Sequence, residues 1–326
     1  MRERIIQVNR VWLAAVLVMV GSSFLVAFLE LLIPDEGTLL LVSQCMLLIP
    51  SLVYLAMRGN GKEAVGLKKI PIGTVPLLVV LMGLLLPLVS LLNMISLLFS
   101  ENLIGTTAED IVTGHSLLGA VVMIALVPAM VEELLFRGII YHDGYRQARP
   151  VEGMILCGLM FGLLHMNLNQ FCYAFVLGMI LCLVMEGTGS LIATTVMHFT
   201  LNTYSVVSLY IAEKLADNEQ FAEFMEAAED AADMTPAEIA NMILTLIPVT
   251  IMCLFLAYLL FRKISRMCGG WDRVCGIFAK RDKAVTTWEA CDVPAQKPVS
   301  LITPAWVIGV VICAVIMILV QMIGTV

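Results

Sequence analysis

Val131-Glu132-Glu133-Leu134-Leu135-Phe136-Arg137 lies inside an apolar run that extends from Leu117 to Ile140. Two acids and a guanidinium within such a run decide how the chain is read. The run is long enough to cross a bilayer, which takes about 20 apolar residues in a helix. An ionised side chain near the bilayer centre costs roughly 2.5–3.5 kcal/mol on insertion scales. Similar apolar runs hold His165, His198 and Asn202. Polar groups kept at that cost on several membrane helices point to chemistry within the membrane rather than to packing alone.

The rest of the chain fits this reading. Of its 326 residues, 60% are hydrophobic and 14% charged, with a mean hydropathy of +0.96. A soluble domain carries about a quarter charged residues. Apolar windows predict spans at Val11–Ile33, Thr38–Met57, Val75–Phe99 and Leu117–Ile140. Further spans are predicted at Val151–Met166, Phe171–Glu186, Leu191–Ile211, Met242–Phe261 and Leu301–Gly324, the fifth and sixth being short. The expected fold is all-α, a polytopic transmembrane helical bundle of about nine spans in the plasma membrane. Along the chain, N-terminal transmembrane helices occupy 1–114 and a polar-bearing core occupies 115–207. An acidic external segment follows at 208–241, and 242–326 holds C-terminal transmembrane helices with a basic loop.

Charge is sorted by side. Arg2, Arg4 and Arg10 precede the first span, and Arg58, Lys62, Lys68 and Lys69 follow the second. Arg146 and Arg149 lie between the fourth and fifth spans. Eight more basic residues, from Arg262 to Lys297, lie between the eighth and ninth. If nine spans alternate, 17 of the 19 Lys and Arg fall on one side, leaving Arg137 and Lys214. The positive-inside rule then makes the N-terminus cytoplasmic. The opposite side is acidic, above all at 213–241, which reads as a solvated, partly helical cap. Thr235-Pro236-Ala237-Glu238 is a capping box with proline at the first helical position, so a helix is expected to start there.

Several classes are set aside. The first apolar run is too long for a signal-peptide core, so an uncleaved first helix is expected. None of the nine cysteines lies in an external loop, which argues against a disulfide framework. No phosphate-binding glycine loop or basic-aromatic patch occurs, so no nucleic-acid partner is expected.

Helical spacing groups the polar residues. Glu133 and Arg137 are four apart and can form an ion pair on one face. Glu132 is rotated about 100° from Glu133 and faces a different neighbour. Phe161 and His165 share a face, as do His198 and Asn202. At 1.5 Å per residue, Glu132 lies roughly 12 Å from the cytoplasmic end of its span, His198 roughly 10 Å, Asn202 roughly 16 Å and His165 roughly 21 Å. The groups are expected to converge. Glu30 and Glu186 lack polar partners on their own helix faces and are read as structural or lining. His115 and His142 sit at span ends, where an interfacial histidine needs no special role.

Glu132-Glu133-x-x-x-Arg137, Phe161-x-x-x-His165 and His198-x-x-x-Asn202 resemble the three motifs of the CPBP intramembrane proteases, the CAAX protease and bacteriocin-processing (Abi) family. The resemblance covers about residues 115–207. It implies hydrolysis of a peptide bond within the membrane, on a peptide or membrane-protein substrate that the sequence does not name. Glu132 would be general base on a water, and His165 would position that water. His198 and Asn202 would donate hydrogen bonds to the oxyanion, at about 2.7–4 kcal/mol per donor. Glu133 and Arg137 would orient the motif helix. A metal-free glutamate mechanism is favoured. The alternative is Zn²⁺ held by Glu132, His165 and His198, although an HExxH arrangement is missing.

Two non-enzymatic readings compete. Polar residues also line transporter paths, but the internal repeats common in transporters are not visible here. A non-catalytic immunity or binding protein of the membrane is the other. The topology is directly testable. A reporter placed within 265–295 should read cytoplasmic and one within 215–235 external; finding both on one side would overturn the nine-span alternation.

Overall fold

Inside a bilayer each backbone N–H and C=O must be paired within its own segment, so apolar runs of this length fold as helices. The computed structural model describes all residues except 34, 60, 101–104, 216–235, 279–298 and 325–326, and no strand occurs among the described residues. The first part of the chain forms α1 (Arg2–Glu30), α2 (Glu36–Arg58), the short α3 (Gly61–Ala64), α4 (Thr74–Leu97) and α5 (Gly105–Gly114). A long helix α6 (Leu117–Tyr145) follows, then α7 (Pro150–Leu164), α8 (Leu168–Thr188) and α9 (Leu191–Leu215). The chain closes with α10 (Pro236–Met267), α11 (Trp271–Phe278) and α12 (Pro304–Gly324).

Seven of these helices are long and apolar enough to cross a membrane. The two other runs read as spans are helices as well. α7 is apolar but has only 15 residues, and α9 is long but carries the polar residues His198 and Asn202. The acidic segment falls largely on residues 216–235, outside the described residues. Helix α10 does begin at Pro236.

Local signals set the boundaries. The Asp35 carboxylate accepts from the Thr38 N–H at 2.9 Å and caps α2, which ends at Gly59 with φ 77°. That bond, with the His115 ring 3.2 Å away, holds the Asp35 carboxyl below the usual carboxylate range. Asn167 caps α8 by accepting from the Gln170 N–H at 3.0 Å.

Helix α6 is not the regular α-helix that the spacing argument assumes. It is π-helical over Val121–Leu126 and again over Leu134–Tyr145, with α geometry between them at Val127–Glu133. Pro128 sits at the first junction. Lacking an N–H, it deprives the Ile124 carbonyl of its α-helical donor. At the far end α6 runs on to Tyr145, past the hydropathy boundary at Ile140, because its last polar residues are held by other helices.

Two buried carboxylates make that end of the bundle. Asp143 accepts from the Tyr54 hydroxyl at 2.6 Å and from Arg58 Nε at 2.9 Å, with Arg4 3.4 Å away. Glu186 accepts from the Tyr141 hydroxyl at 2.9 Å and Arg146 Nε at 2.8 Å, with Arg273 at 3.4 Å. The structural role read for Glu186 therefore holds, with partners supplied by other helices. Arg4, Arg58, Arg146 and Arg273 come from four segments whose charges sort to one side, and they meet at one end. A third buried polar group, Asn9, accepts from the Tyr145 hydroxyl and donates to the Leu301 carbonyl at 2.8 Å. It ties α1 and α6 to the entry of α12.

Helices α7 and α8 pack backbone to backbone. A Cβ on Gly158 would lie 2.7 Å from the Phe175 carbonyl oxygen, and one on Gly178 would lie 2.7 Å from Gly158 Cα. Small residues permit this approach in membranes, where helices gain from close van der Waals contact. By contrast, a Cβ on Gly21 in α1 would meet nothing within 4 Å. Gly158→Ala should therefore force the pair apart and destabilise the solubilised protein by about 1–3 kcal/mol. Gly21→Ala should be neutral or stabilise by up to about 1 kcal/mol. Thermal unfolding of both variants in one detergent checks the contrast.

Candidate active site

The site forms where α6, the end of α7 and the middle of α9 come together. Glu133 and Arg137 are both fully buried, and Arg137 Nη1 donates to Glu133 Oε1 at 2.8 Å. The ion pair expected from the spacing is present. Arg137 Nη2 also donates to the Gly178 carbonyl at 3.3 Å, and its guanidinium lies 4.2 Å from the Phe161 ring centroid. The charge is thus held by a carboxylate, a carbonyl and an aromatic face. Each of these supplies part of what water would otherwise give.

His198 joins this pair from α9. Its Nδ1 lies 2.9 Å from Glu133 Oε1, and its Nε2 lies 3.9 Å from Glu132 Oε2. Both glutamates therefore address one imidazole. The expectation that Glu132 faces a different neighbour from Glu133 is replaced by a shared histidine with two different nitrogens. An ionised carboxylate only accepts, so the His198 Nδ1 carries the proton. In neutral His198 the Nε2 is then an acceptor. A donor role for that nitrogen requires the imidazolium.

His165 is the residue that ends α7, and its Nδ1 lies 2.8 Å from the Phe161 carbonyl oxygen. The carbonyl accepts, so this ring too presents Nε2. The Phe161 ring stands edge-on between the two histidines, with centroid distances of 5.0 Å to His165 and 5.6 Å to His198. Asn202 Nδ2 donates to the Ile124 carbonyl at 3.4 Å, the carbonyl left without an α-helical donor by Pro128. An amide nitrogen carries two protons, so one remains for a further acceptor. Among the described residues, neither His165 nor Asn202 bonds to either glutamate.

Glu132 differs from all of these. Its one ion-pair contact among the described residues is His198 at 3.9 Å, and its side chain is 13% exposed where that of Glu133 is 0% exposed. Every other polar group of the site is held in place by at least one bond. Glu132 is free.

The alternative zinc ligand set can be checked against this geometry. Among the described residues, no three His, Cys, Asp or Glu side chains gather closely enough to hold a metal ion. Glu132, His165 and His198 do not form a three-ligand site in this arrangement.

Phe161 is the residue that reading by motif underrates. It was placed only on the face of His165, yet it contacts Arg137 and both histidines. Gly158-x-x-x-Gly162 on the same helix was the available signal, because that spacing marks a close helix crossing. A Cβ on Gly162 would lie 3.0 Å from the Phe171 carbonyl oxygen. This crossing fixes where the Phe161 ring stands.

Residues 114–204 match the family model of Rce1-like proteins, described as type II CAAX prenyl endopeptidase Rce1-like. The matched stretch is just over a quarter of the chain and contains every motif residue of the site. It bears out the resemblance that the three motifs carry. No curated protein and no solved structure matches the chain.

The buried pair generates a sharp expectation. Removing one partner of such a pair costs about 3–5 kcal/mol, since the other charge is stranded. Glu133→Gln should lower the unfolding temperature of the purified protein markedly. Glu133→Gln combined with Arg137→Met should restore most of the loss without restoring activity. A double variant no more stable than the single one would show that the pair is not what holds this helix.

Proposed function

We propose that this chain is an intramembrane endopeptidase of the CAAX-protease-like type, in which Glu132 activates a water to hydrolyse a peptide bond. The coarser reading, a multi-pass membrane protease, rests on the family match and the apolar helices. One observation carries the finer reading: of two adjacent carboxylates, Glu133 is occupied by Arg137 and His198, while Glu132 makes no hydrogen bond among the described residues and stays partly open.

In this reading Glu132 takes a proton from a water lying against it, and the resulting hydroxide attacks the carbonyl carbon of the scissile bond. His165 presents Nε2 to that water and helps place it. The free amide proton of Asn202 and the Nε2–H of imidazolium His198 stabilise the oxyanion. Collapse of the tetrahedral intermediate breaks the C–N bond, and Glu132 returns its proton to the leaving amine. Glu133 and Arg137 reach no reacting atom; they hold His198 in position. The substrate is a peptide or membrane protein within the bilayer of the plasma membrane.

Purified protein and a cleavable peptide library test the assignment. Glu132→Gln should cut turnover by about 10²–10⁴-fold, because an amide is nearly isosteric but cannot take the proton. Asn202→Ala should lower kcat by ~10²–10³ with little change in KM, as for a donor used only in the transition state. Activity should survive extensive chelation. Full turnover by Glu132→Gln would remove the base, and chelator-sensitive turnover restored by stoichiometric zinc would replace the metal-free mechanism.

A further inference from the structure

A second feature lies between α1 and α2. The two helices leave a cavity of about 510 Å³ between Gln7, Arg10 and Val18 on one wall and Ile49, Val53 and Arg58 on the other. That volume is in the range of small-ligand sites. The cavity extends about 16 Å along α1 from Gln7 to Val18. None of its lining residues belongs to the proposed catalytic machinery.

The two ends of this groove differ in chemistry. The lining residues Val11, Ala14, Val18, Ile49, Pro50 and Val53 are all apolar, and Ile49 and Val53 are about half exposed. Arg10 and Arg58 also line the cavity. Arg58 is fixed by Asp143, with Nε at 2.9 Å from Oδ2 and Nη2 at 3.3 Å from Oδ1. Arg4 shares that same carboxylate at 3.4 Å. Arg10 is exposed and has no acidic partner among the described residues. Two guanidinium groups thus meet one carboxylate, which is 4% exposed and already engaged, and Arg10 adds a third positive charge. Among the described residues the groove mouth therefore keeps a net positive charge that no acidic group neutralises.

A ligand that fits has an anionic head and a long apolar tail lying along the helices. We propose that the groove binds one anionic phospholipid, its phosphate between Arg10 and Arg58 and an acyl chain along Val18 and Ile49. Charge complementarity favours this occupant, because basic pockets between membrane helices select acidic headgroups. The arginine stems lie along apolar surface while their heads stay at the polar boundary, where a phosphate is found. The groove is also lateral, walled by helices whose outer faces meet lipid, so a lipid reaches it without leaving the bilayer.

The test uses the full-length protein in nanodiscs of phosphatidylcholine containing one tenth phosphatidylglycerol. Lipids retained after detergent extraction are identified by native mass spectrometry. Wild-type protein should retain one phosphatidylglycerol at least tenfold over its share in the disc. Arg10→Gln should abolish the enrichment while unfolding at the wild-type temperature. Val53→Trp, which fills the groove but keeps both arginines, should abolish it as well. Equal retention of both lipids by wild type, or undiminished enrichment in both variants, overturns the proposal. Release of the lipid by millimolar inorganic phosphate would identify a plain anion site instead. Release by a stoichiometric lipidated peptide would identify a substrate entry. Either result also overturns it.

Discussion

The arrangement of the site depends on a single buried charge pair. Glu133 and Arg137 are both fully excluded from solvent, so neither charge is tolerable without the other. Their mutual demand recruits the rest. The same Glu133 oxygen that accepts from Arg137 also accepts from His198, and the Arg137 guanidinium lies over Phe161 and against the Gly178 carbonyl. Helices α6, α7, α8 and α9 are therefore joined through one pair of side chains. The apolar cores on either side complete the packing, one around Trp12, Phe136 and Phe161 and another around Met82, Leu181 and Met197.

Adjacent residues of identical chemistry end in different settings because their surroundings differ. Glu133 is fully buried, with its Oε1 taken by Arg137 and His198. Among the described residues Glu132 makes no hydrogen bond, and it keeps some contact with the outside. Burial and partner supply, rather than residue type, set the two carboxylates apart. Orientation of the remaining groups follows the same economy of bonds. Each histidine is anchored through Nδ1, and Asn202 through one amide proton, leaving the second nitrogen or the second proton facing outward.

Much of the fold was legible because a membrane helix declares itself by length and apolarity, and helices appear at all nine of the runs so read. The Glu133–Arg137 contact was legible too, being local. What escaped was whatever depended on a partner far along the chain. The two-nitrogen contact of His198 with both glutamates spans α6 and α9, and no spacing rule within one helix reveals it. Nothing local marked the partners of Asp143 and Glu186, because Tyr54, Arg58, Arg146 and Arg273 come from other segments. The π-helical turns of α6 were invisible because a 3.6-residue period was imposed on a segment whose hydrogen bonds run to the fifth residue back. Pro128 was the one local hint of that irregularity.

Those wide turns give α6 an uneven tolerance to changes in chain length. The Arg146 N–H donates to the Tyr141 carbonyl, five residues back, so the final stretch carries more residues per turn than an α-helix would. Loss of one residue between Gly138 and Tyr141 could be absorbed by tightening to the commoner helix, which would leave Asp143 and Arg146 near their present orientation. The same loss in the α-helical stretch Val127–Glu133 would swing everything beyond it by about a quarter turn, and the arginine-rich end would lose its carboxylate anchors. Within a lineage, length variation in this helix would thus be admitted in its π-helical stretches and filtered elsewhere by how the protein is moored at its basic end.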